Sequence, residues 1–115
     1  SFISLRLVLP VARQFMAEKA TAVCLIKPQF EAGRENVGKN GVVRDKTVHE
    51  SVVSGICEFV LKNGFDILGL DFSPIKGPKG NIEYLIYLQK SECPQNLTNF
   101  DIKSLVNISH EKLDK

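Results

Sequence analysis

Hydrophobic residues recur at helical spacing in three stretches of the chain. Residues 4–18 are predicted to form an amphipathic helix that either kinks at Pro10 or has its first turn there. A second helix is predicted from the capping-box pattern at Thr47 and Glu50 to a stop at Asn63-Gly64. A final helix, capped by Thr98 or Asn99, is predicted to turn four apolar residues inward: Ile102, Leu105, Val106 and Leu113.

Three short apolar runs predict strands at residues 21–26, 65–72 and 82–88. The first run is apolar without alternation, which is typical of a strand covered on both faces of a parallel sheet. The last two strands are predicted to be antiparallel neighbours, because the six residues 75–80 cannot hold a crossover helix. Residues 29–46 contain three glycines among charges and are predicted to form a long loop.

The predicted order is helix, strand, helix, strand, strand, helix. This order indicates an α/β domain with a mostly parallel sheet and one antiparallel strand. A sheet of three strands leaves an apolar edge exposed, which folded proteins normally avoid. The layout therefore predicts part of a larger sheet, or self-association through that edge. The start at Ser1, without methionine, predicts a processed chain, an engineered one or a piece of a longer one.

Length and composition exclude several classes of protein. A chain of 115 residues is the size of one small domain. Its 43% hydrophobic and 24% charged residues exclude collagen-like and strongly disordered chains, and no apolar run is long enough to span a bilayer. The net charge is only +2, so any argument for nucleic-acid binding depends on where the basic residues lie.

The cysteines and histidines show no metal-binding pattern. Cys24, Cys57 and Cys93 are odd in number and widely spaced, which argues against a disulfide framework or a zinc site and predicts a cytoplasmic protein. His49 and His110 lack a second ligand at metal-binding spacing, and His49 is predicted to be exposed in the first turn of its helix. No nucleotide-binding glycine motif occurs, so no cofactor-binding residue is predicted in this chain.

Lys27 and Glu83 are candidates for catalysis. Ligands of open α/β sheets collect beyond the carboxyl ends of parallel strands, where Lys27 directly follows residues 21–26. Glu83 lies near the start of the antiparallel strand, so it is expected at the same end of the sheet. A lysine partly removed from water favours its neutral amine and can accept a proton. Alternatively, Lys27 only marks the end of its strand and Glu83 forms a plain ion pair or a solvated edge carboxylate.

Basic residues cluster in the loops at this end of the predicted sheet. Such clustering suits the phosphate backbone of a nucleic acid, although surface loops are often simply charged. Phe30 is predicted either to stack on a base or to plug the loop against the core. The basic residues are Lys27, Arg34, Lys39, Arg44 and Lys46 in one loop region and Lys76 and Lys79 in the other.

Four segments together resemble one protein family. They are SFISLRLVLP at 1–10, LIKPQFEAGRE at 25–35, GVVRD at 41–45 and SPIKGPKGNIE at 73–83. In combination they resemble the TlyA family, whose members are also called haemolysin A. The resemblance runs from Ser1 to about Leu88 and implies that residues 1–90 are the C-terminal half of an FtsJ-like methyltransferase domain. Residues 91–115 show no such resemblance and are predicted to be a polar, helical extension.

The resemblance implies a partial Rossmann-like (class I) methyltransferase fold, whose last strand inserts antiparallel between the other two. It also implies methyl transfer from S-adenosylmethionine to a ribose 2′-hydroxyl of ribosomal RNA. In the family's Lys-Asp-Lys-Glu tetrad, Lys27 matches the second lysine and Glu83 the glutamate. Lys27 would help to deprotonate or orient the hydroxyl, and Glu83 would hold Lys27. The implied RNA-binding residues are Arg34, Lys39, Arg44, Lys76 and Lys79.

Several parts of the family pattern precede the position of Ser1. These are the tetrad aspartate, the first lysine, the glycine-rich cofactor loop and an S4 RNA-binding domain. We therefore expect a methyltransferase segment that is inactive without its N-terminal half. The alternatives are a non-catalytic module that binds RNA or protein, and a membrane-active haemolysin. The sequence has no long apolar helix and no strongly basic amphipathic helix that would favour lysis.

Overall fold

A computed structural model describes residues 3–38 and 40–114. Three strands and four helices follow one another, with short 3₁₀ turns at Arg34–Asn36 and Pro78–Gly80. The strand predicted at 65–72 is confirmed, whereas the third strand starts two residues later than predicted. The elements are α1 (Leu5–Phe15), β1 (Thr21–Ile26), α2 (Pro28–Glu31), α3 (Lys46–Lys62), β2 (Phe65–Phe72), β3 (Tyr84–Lys90) and α4 (Ile102–Leu113).

Helix α1 begins at a cap that two distant residues build together. The Ser4 hydroxyl accepts a hydrogen bond from the Arg6 amide and donates one to the Glu31 carboxylate, at 2.6 Å. The other Glu31 oxygen accepts from the Leu5 amide at 2.8 Å. Two amides at the start of the helix are thereby satisfied. Pro10 lies inside α1 rather than in its first turn.

The predicted caps of α3 and α4 are wrong. Asp45, not Thr47, caps α3, and its carboxylate accepts from the Thr47 amide at 2.8 Å and from the Thr47 hydroxyl at 2.7 Å. Asp101 caps α4 in the same way, rather than Thr98 or Asn99. In both cases an aspartate is the cap, because its negative charge is favoured at the positive end of the helix dipole.

The ends of the predicted long loop also differ from the prediction. Residues 29–46 are not irregular throughout, because Pro28 starts the short helix α2 and Arg34–Asn36 forms a 3₁₀ turn. Proline suits the first helical position, since its missing amide proton would have no partner there. The stop predicted after α3 is confirmed: Gly64 has a φ of +88°, the left-handed conformation that glycine adopts without strain.

The sheet has the order β1-β3-β2, and both pairings are antiparallel. The expectation that β3 lies antiparallel between the other two strands is confirmed. The described strands do not form the mostly parallel sheet that the order of elements predicted. β1 and β2 do run in the same direction, but β3 separates them, so neither makes a parallel ladder with the other.

Helices α1, α3 and α4 and one face of the sheet enclose the core. Helices α3 and α4 pack on β2, and their apolar faces join side chains of β2 and β3. The prediction that β1 is covered on both faces is wrong, because Val23 is 65% exposed and Leu25 is 39% exposed. No helix in the described ranges is both long and apolar enough to cross a membrane.

The segment after β3 covers the outer edge of β2. The Ile67 amide donates to the Gln95 carbonyl at 3.0 Å, and the Leu97 amide donates to the Ile67 carbonyl at 2.9 Å. Asn96 thereby forms an isolated parallel bridge with Ile67. The chain then enters α4, which returns over the sheet.

Candidate active site

Lys27 and Glu83 lie at the same end of the sheet. Lys27 directly follows β1 and Glu83 directly precedes β3. Ile26 and Tyr84 are paired in the antiparallel ladder, so continuing this register by one residue sets Lys27 opposite Glu83. The two candidates, 56 positions apart, are thus neighbours across the end of two strands, a region that we call the rim.

The Lys27 and Glu83 side chains do not contact each other in this arrangement. The Lys27 ammonium is 5.8 Å from the centre of the Phe30 ring, and the described residues include no ion pair between Lys27 and Glu83. Glu83 is only 5% exposed, and its Oε2 accepts a hydrogen bond from Gln29 Nε2 at 2.9 Å. Lys27 would have to turn away from Phe30 to reach the carboxylate.

Sequence reasoning missed Gln29, because a neutral side chain in a charged loop gives no signal. Its nitrogen must face Glu83, since a carboxylate only accepts hydrogen bonds. Its Oε1 is buried and has no hydrogen-bond partner among the described residues. On the other side of Glu83, a β-carbon at Gly77 would collide with the carboxylate. The Glu83 side chain is therefore confined between Gln29 and the backbone at Gly77.

Four of the candidate RNA-binding residues are exposed in the segments that follow β1 and precede β3. Arg34 lies in a 3₁₀ turn, Arg44 precedes α3, and both are exposed. Lys79 is exposed with a φ of +60°, a conformation that costs energy for a non-glycine residue. Lys76 forms an ion pair with Asp114 at 3.1 Å. Lys39 lies outside the described residues.

Asn81 joins the two rim loops. Its Oδ1 accepts from the Val43 amide at 3.0 Å, and its Nδ2 donates to the Gly41 and Pro78 carbonyls at 2.9 and 3.1 Å. The residue is buried and uses its amide group on both loops at once. A cavity of about 240 Å³ lies beside it, lined in part by Gln29, Phe30 and Lys79.

The prediction for His49 is wrong. It is 1% exposed rather than solvated, because α4 covers the first turn of α3. Its Nε2 lies 2.8 Å from the Val43 carbonyl, and its Nδ1 lies 2.8 Å from His110 Nε2 and 3.2 Å from the Tyr84 hydroxyl. Burial lowers the pKa of His49 and raises the pKa of Tyr84 to about 12.

Comparison with known proteins shows to which family this chain belongs. Residues 1–90 match the FtsJ-like methyltransferase family. The chain belongs to this family. The resemblance to TlyA proteins is confirmed by relatives: the chain is 39% identical over 89 residues, 77% of its length, to the 16S/23S rRNA (cytidine-2'-O)-methyltransferase TlyA of Mycobacterium tuberculosis. It is also 40% identical over 87 residues, 76% of its length, to Hemolysin A of Brachyspira hyodysenteriae.

A further relative also matches the C-terminal segment. YqxC of Bacillus subtilis, named as an rRNA methyltransferase, is 45% identical over 116 residues and covers 98% of the chain. Most of residues 91–115 are therefore shared with a relative, although the sequence motifs stopped near Leu88. The chain spans 41% of the YqxC length, 36% of Hemolysin A and 33% of TlyA.

Solved structures of two relatives agree with this fold. A Streptococcus thermophilus protein named as a hemolysin superposes with a TM-score of 0.93 at 46% identity, covering 99% of this chain and 41% of that protein. A Lactococcus lactis protein with the same kind of name gives 0.86 at 41% identity, covering 94% of this chain and 51% of that protein. The described residues thus have the α/β fold of FtsJ-like methyltransferases.

The described residues do not fit a complete site for S-adenosylmethionine. A cavity of about 360 Å³ between α1 and α3 contains one carboxylate, Glu31. Both Glu31 oxygens are occupied, by the Ser4 hydroxyl and the Leu5 amide. This carboxylate serves the cap of α1, and the sequence contains no nucleotide-binding glycine motif that would hold the rest of the cofactor.

Proposed function

We propose that this chain is the C-terminal part of the catalytic domain of an S-adenosylmethionine-dependent rRNA ribose 2′-O-methyltransferase, and that it is inactive without the N-terminal part. Residues 1–90 would belong to the catalytic domain and residues 91–115 would be its C-terminal extension. The observation that carries the proposal is the placement of Lys27 opposite Glu83 at one rim, in a chain of the FtsJ-like family. The names of YqxC and TlyA support rRNA as the substrate.

Lys27 and Glu83 are the proposed catalytic residues. Lys27 is half-buried at the end of β1, where its side chain can orient a ribose 2′-hydroxyl and help to deprotonate it. Glu83, fixed by Gln29 through one oxygen, keeps its second oxygen for the ammonium that results. The methyl donor would be held by residues of the longer protein outside this chain.

The basic rim is the proposed RNA-binding surface. Arg34, Arg44, Lys76 and Lys79 present exposed cations around Lys27 and Glu83, and Lys39 belongs to the same set by sequence. Lysine and arginine contacts to phosphate fix the position of a nucleic acid without reading its bases. We further propose that the protein acts in the cytoplasm, where ribosomal RNA is methylated.

The test is methyl transfer to ribosomal RNA by the longer protein, with isolated ribosomal subunits and radiolabelled S-adenosylmethionine. Lys27→Ala is expected to lower the rate by about 10²- to 10⁴-fold, because the proton acceptor is lost. Glu83→Gln is expected to lower it as well. Lys62→Ala is the matched control, since Lys62 is an exposed lysine at the end of α3, and it should leave the rate unchanged.

Two results would contradict the proposal. An unchanged rate in Lys27→Ala would remove Lys27 from the catalytic site. Methyl transfer by the 115-residue chain alone would show that its own residues complete the cofactor site.

A second candidate function is protein binding without catalysis. The observation that favours it is an exposed apolar stripe on α1, formed by Leu7, Val11 and Phe15. The hemolysin names of several relatives suggest a membrane as a further target. Leakage of lipid vesicles caused by the chain, with no effect of Lys27→Ala on methylation, would favour the membrane target over the first function.

A further inference from the structure

A buried polar cluster connects α3, β3 and α4, and nothing in the proposed mechanism uses it. It consists of His49, Tyr84, Ser109 and His110, all of them buried. Asp114 lies at its end, with Oδ2 at 3.0 Å from His110 Nδ1. His49 and His110 are 61 positions apart and lie ring against ring, with centroids 4.8 Å apart.

The hydroxyl protons of the cluster can be assigned from their partners. Ser109 Oγ lies 2.7 Å from the Val106 carbonyl, which can only accept, so the serine proton points there. The Tyr84 hydroxyl oxygen lies 2.9 Å from Ser109 Oγ. Because the serine proton is already used, the tyrosine hydroxyl donates its proton to the serine oxygen. Neither hydroxyl then supplies a proton to the histidines.

Besides the 3.2 Å contact of His49 Nδ1 with the Tyr84 hydroxyl, the two imidazole rings make three contacts that each need a ring proton. His49 Nε2 must carry one to donate to the Val43 carbonyl. The 2.8 Å contact between His49 Nδ1 and His110 Nε2 needs one between them. His110 Nδ1 needs one to donate to Asp114. Two neutral imidazoles carry two protons on four nitrogens, so the complete set of contacts requires one extra proton on the pair.

Asp114 does not supply this proton. Partial burial acts to raise the pKa of Asp114, but hydrogen bonding and charge from Lys76 outweigh it, and the pKa is lowered. The carboxylate therefore stays ionised and accepts from both Lys76 and His110. It holds the ammonium of a rim lysine with one oxygen and the imidazole of α4 with the other.

The charges around the pair determine when it takes up the proton. Burial lowers the pKa of both His49 and His110, and Lys46 and Lys76 act in the same direction on His110. Asp114 acts in the opposite direction on both rings, and Asp45 on His49. The pair is therefore expected to charge in mildly acidic solution, below the ordinary range of histidine.

The cluster contacts both rim loops. His49 binds the Val43 carbonyl, while Asn81 binds the Val43 amide, and Arg44 is the next residue. Tyr84 directly follows Glu83 in the sequence. Through Asp114, α4 also reaches Lys76. A change in the proton content of the pair thus acts on the backbone before Arg44 and on the side chain of Lys76.

We propose that His49 and His110 are positioning residues of the basic rim. Uptake of one proton, shared by the two rings, acts on the backbone before Arg44 and, through Asp114 at the end of α4, on the side chain of Lys76. This inference rests on the proposed RNA-binding role of the rim. It assigns a task to a helix that lies outside residues 1–90, the part that matches the family.

The test is a titration of the 115-residue chain, followed by NMR of the imidazole nitrogens and of the Val43 and Arg44 amides between about pH 4 and pH 8. The expected result is one uptake step shared by both rings, with the two rim amides changing at the same midpoint. In Asp114→Leu only two contacts remain, which two neutral rings satisfy, so this step should be lost or move to lower pH.

Glu111→Gln is the matched control, because it removes an exposed carboxylate from the same helix without touching the pair. It should leave the step in place. Independent titration of the two rings, or rim amides that do not follow the rings, would overturn the proposal. A longer protein without rRNA methylation would contradict the proposed function but would leave these nitrogen signals unchanged.

Discussion

The two outer strands of the sheet, β1 and β2, differ in whether the rest of the chain covers their outer edges. β1 and β2 run in the same direction and both pair with β3. The edge of β2 is covered by the backbone around Asn96, and α3 and α4 pack on this strand. β1 keeps exposed apolar side chains at Val23 and Leu25.

This difference shows which side of the fold the chain completes by itself. The segment from 91 to 113 closes the β2 side, although it lies beyond the part that matches the family. A strand whose outer edge is unpaired and whose side chains are apolar is a template for another strand. We expect the β1 edge to pair with the rest of a longer protein or, in this chain alone, with a second copy.

The largest difference between the β1 and β2 sides is expected when an apolar side chain of each strand is truncated and the free energy of unfolding is measured. Ile67 of β2 is fully buried, so Ile67→Ala is expected to lower the free energy of unfolding by roughly 2–5 kcal/mol through lost packing and a cavity. Val23→Ala on β1 is expected to lower it by less than about 1 kcal/mol. Urea denaturation of both variants measures this difference. Equal losses would mean that β1 is packed as well as β2.

The second largest effect is expected from acid, which should lower the free energy of unfolding through the buried histidines on the β2 side. Burial holds the pKa of His49 and His110 below the ordinary value of 6.5 in the folded chain. The unfolded chain therefore binds more protons below about pH 6.5, and stability is complete above that pH and declines as the pH falls. Urea denaturation at a series of pH values measures the slope. His110→Phe should reduce the slope and Val23→Ala should not.

The smallest effect on the free energy of unfolding is expected at the edge of β1 that no other strand covers. There the quantity to measure is self-association of the chain. Val23→Lys places a charge on an exposed strand edge, which opposes edge-to-edge pairing. Sedimentation velocity is expected to show self-association of the unaltered chain and a monomeric variant, with little change in the free energy of unfolding. A monomeric unaltered chain at high concentration would contradict self-association through β1.

Much of the candidate site could be predicted because its members follow strand ends. Lys27 comes directly after one apolar run and Glu83 lies near the start of another, so opposite strand directions were enough to expect them at one end of the sheet. Gln29 could not be predicted in this way. Its contact with Glu83 depends on the turn of α2, which begins at Pro28.

The sequence by itself determined the type and order of most elements, because hydrophobic periodicity and end signals such as Gly64 act over a few neighbouring residues. Only the tertiary structure decided which faces are covered. His49 looks like an exposed residue in a first helical turn, yet α4 buries it against a histidine 61 positions away. Periodicity shows that a face is apolar, but which element covers it depends on long-range packing, and the protonation of a buried polar group depends on that cover.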